Sequence, residues 1–179
     1  MDWFHFWLLL HILFAIAVFG PTFAFPLIAS FAAKEPQHAH VVVEIAHAIE
    51  TKIVLPGGFV MPFLGMALIL QGHFSLGGNP WLVEGIILYT IAYLFSVTVQ
   101  LRNSNKMLKL LESMPAPPPP GAPGGEGGAA PAGPQGPPPA IAAQAKKLRL
   151  GGMLLTVLVV AIIVLMVWRP GCGPGFCGG

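Results

Sequence analysis

The sequence is short of charge. Only 9% of its 179 residues are Asp, Glu, Lys or Arg, whereas soluble domains carry roughly 25%. Such a deficit cannot furnish a water-facing surface, so it excludes an ordinary soluble fold and points to an integral membrane protein. Lysine and arginine are missing altogether before Lys34. The chain therefore opens without the positive flank of a secretory signal, and its first apolar run is too long for a signal core. That run is expected to be retained as a spanning helix. Cysteine is scarce as well: only Cys172 and Cys177 are present. They form no C-x-x-C redox pair, and two thiolates fall short of the four ligands of a structural zinc site. No basic cluster is interleaved with aromatics, so nucleic acid is not an implied partner.

What the chain has in abundance is hydrocarbon. It is 55% hydrophobic with a mean hydropathy of +0.74. Crossing a bilayer takes about 20 apolar residues in a helix, and helices are the economical choice because each satisfies its own backbone in lipid. Four stretches qualify: Trp3 to Phe31, Ile53 to Leu70 with a more polar lead-in from Val41, Trp81 to Leu101, and Leu150 to Trp168. The expected fold is all-α, a bundle of four transmembrane helices. Gly20, Pro21 and Pro26 interrupt the first span, and Pro56, Gly57, Gly58 and Pro62 the second. Proline removes a helical hydrogen bond and kinks the helix. These breakers are read as packing kinks, with a cavity between the two helices as the alternative.

Three regions follow: 1–112 as a three-helix membrane region, 113–145 as a linker, and 146–179 as the fourth helix with a short tail. The linker, with "PAPPPPGAPGGEGG" at its start, cannot bury a core. It is expected to be a disordered cytoplasmic Pro/Gly-rich spacer, partly polyproline II. Orientation follows from the basic residues. One side collects Lys34, Lys52, Arg102, Lys106, Lys109, Lys146, Lys147 and Arg149, and the other only Arg169. Both termini are then expected outside the cytoplasm of a plasma (inner) membrane. Trp3, Trp7, Trp81 and Trp168 fall near the outer interface. In the outer tail, Cys172 and Cys177 flank a turn-forming Gly-Pro-Gly, and a disulfide between them is favoured.

The histidines carry the chemistry worth weighing. His11 lies about 12 Å below Trp3 at 1.5 Å per residue, inside the first span. An ionisable group there is a functional candidate by default. The other reading is a neutral imidazole bonded to a neighbouring helix, worth about 0.6 kcal/mol on average. A haem b held by His11 would want a second ligand from the same side. His73 in the short loop is a candidate, with Glu84 as acceptor or counter-ion. A second set, His40, Glu44, His47 and Thr51, is spaced 4, 3 and 4 and stacks on one helical face. Glu-x-x-His is half of a di-iron signature, but its matching half is missing. An amphipathic entry to the second span is therefore preferred to a metal site.

The first span, "WLLLHILFAIAVFGPTFAFPL", followed by further spans, resembles a family of small bacterial predicted integral membrane proteins of unknown function. More distantly, it is similar to the copper-resistance D domain and the haem-binding membrane protoporphyrinogen oxidase. The resemblance covers about Met1 to Glu112. The oxidase branch implies a haem role for His11. Its third-span lysine has no counterpart in "WLVEGIILYTIAYLFSVTVQL", which counts against that reaction. Copper transfer would call for outer Met and His clusters as soft ligands, and the methionines here are dispersed. The expected function is that of an integral membrane protein without an enzyme's site, an accessory or assembly component among other membrane subunits and lipid. A b-type haem redox protein using His11 is the alternative. A transporter would need mid-span charges or internal repeats, and the sequence shows neither.

Overall fold

The computed structural model describes residues 3–34, 38–114 and 138–170. The linker from 115 to 137 and both cysteines lie outside the described residues. Within them the chain is helical throughout apart from short turns, and no strand occurs. Four helical rods are long and apolar enough to cross a membrane, as the hydrophobic runs require. The first is α1 (Trp3–Lys34). The second joins α2 (Ala39–Ile49), a π turn (Glu50–Val54) and α3 (Leu55–Gln71). The third joins α4 (Pro80–Phe95), a second π turn (Ser96–Gln100) and α5 (Leu101–Glu112). The fourth is α6 (Pro139–Trp168). Consecutive rods pack side by side and α6 closes the ring against α1.

Three rods run beyond the apolar stretches that define them in the sequence. The second and third are each 33 residues long, about 50 Å at 1.5 Å per residue, against a hydrocarbon core of about 30 Å. The surplus gathers at the basic end. There Met107 and Leu111 of α5 and Ile141 of α6 form a buried apolar cluster, with Ala39 and Val43 of α2 packed against it. The fourth helix starts at Pro139 rather than near Leu150, so residues 139–145, expected in the linker, form its first turns. Proline suits the first helical position because its missing N–H has no partner to lose there. The Ala-Ile-Ala-Ala-Gln-Ala run that follows is rich in strong helix formers.

The opposite end is tied by rings. Phe74, in the loop after α3, packs on Phe4 at 6.3 Å and edge-on to Trp81 at 6.2 Å between centroids. The Arg169 guanidinium lies 5.2 Å from the Trp81 ring centre, close enough for a cation–π contact. Trp3 and Trp168 are exposed at this end, whereas Trp81 is only 4% exposed. Trp81 is thus a bundle residue rather than a lipid anchor.

Two glycines set how closely the middle of the bundle packs. A Cβ on Gly57 would lie 2.3 Å from a Val18 methyl carbon of α1, and one on Gly58 would lie 2.9 Å from the Tyr93 ring of α4. Small residues of this kind let helix backbones approach in lipid, where apolar burial gives no drive. At this level a cavity of about 40 Å³ is lined by Phe19, Thr22, Gly58, Tyr89, Tyr93 and Ser96 among others. It lies beside the breakers of the first two spans and is walled by all four rods.

Candidate functional site

The most polar part of the interior lies where the second and third rods meet towards the basic end. Its location begins with Pro56. That residue has no N–H to donate, and its ring crowds the carbonyl four residues back, that of Lys52. Just ahead of it the chain takes a π turn, in which the Leu55 N–H bonds the Glu50 carbonyl. A π turn inserts one residue into the ladder, so the helix faces before and after it are offset by about 100°. Glu50 points inward and is 7% exposed, while Lys52 faces out.

Ser104 of α5 meets this stretch. It is 5% exposed. Its Oγ lies 3.1 Å from His47 Nδ1, and the same hydroxyl faces the Glu50 carboxyl. Thr51 donates back to the His47 carbonyl at 2.8 Å. One carboxyl oxygen of Glu50 is buried with no hydrogen-bond partner, and no cation pairs with the group among the described residues. Buried carboxyl groups are ordinarily paired or hydrogen-bonded, so this one stands out. Glu50 lies 21 residues before Gln71, about 32 Å along the rod. That depth corresponds to one edge of a hydrocarbon zone of about 30 Å, the edge at the basic end.

Amides fasten the fourth rod nearby. Gln144 is 3% exposed and donates to the Asn103 carbonyl at 2.9 Å. Gln100 donates to the Leu148 carbonyl at 3.2 Å, and its own buried oxygen has no partner. Gly151 gives Gln100 its room, since a Cβ there would fall 2.2 Å from that oxygen.

The residues singled out from sequence are dispersed. His11 is half-buried between α1 and α3, where a Cβ on Gly65 would touch its Cε1 at 3.8 Å. Its Nδ1 is buried without a partner. His73 is exposed in the loop, and Glu84 is exposed on α4. His40 and Glu44 form an exposed pair at 3.9 Å, while His47 turns to Ser104 instead. Among the described residues no three His, Cys, Asp or Glu side chains gather as metal ligands. His11 does not line the small cavity, and a Cβ on Gly65 would meet its ring only at ordinary contact distance.

The sequence alone does not single out Glu50 or Ser104. Glu50 falls in the polar lead-in to the second span, and Ser104 lies 54 positions further on. A usable signal was present: Glu50 is the last acid before an acid-free run that reaches Glu84.

Four apolar rods closed in a ring, with a polar contact sealed between two of them, define a four-span integral membrane protein. The chain belongs to the family described as "Predicted integral membrane protein (DUF2269)", whose model matches residues 6–116. The match takes in the first three rods and all of His47, Glu50 and Ser104. No curated protein and no solved structure gives a significant match.

Proposed function

We propose that the protein is a non-enzymatic accessory or assembly component of a larger complex in the plasma membrane, with both termini outside the cytoplasm. The observation that carries this reading is a bare strip on α1. Ala17, Gly20 and Ala24 are spaced 3 and 4 and all face away from the bundle. A Cβ on Gly20 would meet nothing within 4 Å. In lipid, small residues at helical spacing allow a second helix to pack backbone to backbone. The opposite face of α1, with Val18 and Thr22 buried, is already used by the chain's own rods.

Deleting the gene is expected to lower the abundance or size of at least one membrane complex resolved in mild detergent. A Gly20→Leu allele should reproduce that loss while the protein itself accumulates normally, because a Cβ at this position meets nothing within 4 Å. Unchanged complexes in the deletion strain would overturn the reading. A b-type haem at His11 is the second reading, favoured by the orphan Nδ1. A Soret band in protein purified after expression with ample haem would support it.

A further inference from the structure

A carboxyl group inside a membrane helix faces its bundle, pairs with something, and tends to mark a pathway or relay. Glu50 meets the first condition, and among the described residues no cation meets the second. It is more than nine-tenths buried, it has an oxygen with no hydrogen-bond partner, and beside it on another rod is the Ser104 hydroxyl, which also touches an imidazole. It sits on a π turn, an irregularity common at functional sites. We propose that Glu50 is a proton-binding site, loaded from the basic end of the bundle through His47 and Ser104.

The surroundings make His47 the proton's donor. On α1, residues 12–33 contain no ionisable group, and α3 has none. On α2 the ionisable groups are His40, Glu44 and His47. Lys52 on the π turn itself is exposed. So are Arg102, Lys106, Lys109 and Glu112 of α5 and Lys146, Lys147 and Arg149 of α6. His40 and Glu44 lie on the same helix towards the exposed end, so the titratable residues of α2 lead from water to His47.

The transfer balances without a co-reactant. With both ring nitrogens protonated, His47 donates from Nδ1 to Ser104 Oγ, and the hydroxyl donates to a Glu50 carboxylate oxygen. Serine passes its own proton to the carboxylate as it takes the one from Nδ1. One N–H bond and one O–H bond break, and two O–H bonds form. The imidazolium and carboxylate both end neutral, and serine is unchanged. His47, half-buried, then regains a proton from the exposed side. The proposal is independent of whether anything docks on α1.

Infrared difference spectra of the full-length protein in lipid nanodiscs, recorded across pH, test it. A carbonyl-stretch band of a protonated carboxylic acid should appear as the pH falls and shift in D2O. The band should vanish in Glu50→Gln and persist in Glu44→Gln. In Ser104→Ala the loss of a hydrogen bond to a charged group should move its midpoint by about one pH unit. A band that survives Glu50→Gln overturns the proposal, as does one that stays constant at every pH. Should Glu50→Gln fail to fold, the wild-type titration and the Ser104→Ala shift decide. A wild-type protein with no titrating acid band refutes the site by itself.

Discussion

A residue with a Cβ is strained in left-handed backbone, and His73 holds φ at +50°. It occupies the position just past Gly72, the C-cap of α3, and the Phe74 N–H reaches back to the Ile69 carbonyl at 3.1 Å. That bond is the outer closure of a Schellman cap, whose left-handed site glycine usually fills. A left-handed non-glycine residue costs roughly 1–2 kcal/mol, and glycine's extra chain entropy takes back about 0.5–1 kcal/mol. His73→Gly is therefore expected to raise stability by up to about 1 kcal/mol in chemical unfolding of the detergent-solubilised protein. A drop would mean that the exposed ring holds something. The same contrast shows what single residues reveal in sequence. His11 was legible as an imidazole inside an apolar run, and its burial between two rods follows from that setting. The stripe of His40, Glu44 and His47 was legible as helical spacing. The partner that matters, Ser104, arrives through a tertiary contact 57 positions from His47, and no local pattern encodes it. Glu50 is not singled out by the sequence because its inward direction is set by the packing of α5 against the second rod, which polarity alone does not reveal.

At the scale of helices, the prolines of the second rod matter less as kinks than as sources of free carbonyls. Pro62 withholds the N–H that the Gly58 carbonyl would otherwise accept. Tyr89 of α4 donates its hydroxyl to that carbonyl. Tyr93, stacked on Tyr89 with ring planes 7° apart, donates to the Leu55 carbonyl at 3.3 Å. Neighbouring helices re-satisfy freed backbone in this way in membranes. A typical interhelical hydrogen bond in lipid is worth about 0.6 kcal/mol because alternatives exist. Pro62 denies the Gly58 carbonyl its usual helical donor, so Tyr89→Phe should cost nearer the roughly 1–3 kcal/mol of a buried unsatisfied group. Pro62→Ala restores the helix's own donor. In the double variant, the Tyr89→Phe cost is expected to shrink to the ordinary interhelical value, and equal costs in both backgrounds would break the link. The existence of four rods could be read from the apolar runs alone. Their lengths could not, because α2, α5 and the start of α6 are held by one another at Met107, Leu111 and Ile141, beyond the reach of a hydropathy window.

For the whole molecule, charge predicts which end faces the cytoplasm. The rods alternate in direction, so the start of α2, the end of α5 and the start of α6 share one end. Eight of the nine lysines and arginines belong to the connections and helix ends on that side, while Arg169 stands alone at the other, over Trp81. Basic residues near span ends are retained in the cytoplasm, and anionic inner-leaflet lipid favours each by about 1 kcal/mol. Inverting the bundle would carry eight such residues across the membrane to keep one inside. The tail that holds Cys172 follows α6 at the Arg169 end, so it should face outward. In intact cells treated gently with reductant, a membrane-impermeant maleimide is expected to label Cys172, and a cysteine placed at exposed Lys106 should react only after the membrane is opened. The reverse pattern would turn the bundle over. The His40 end would then face outward, and the proton reaching Glu50 would come from outside the cell.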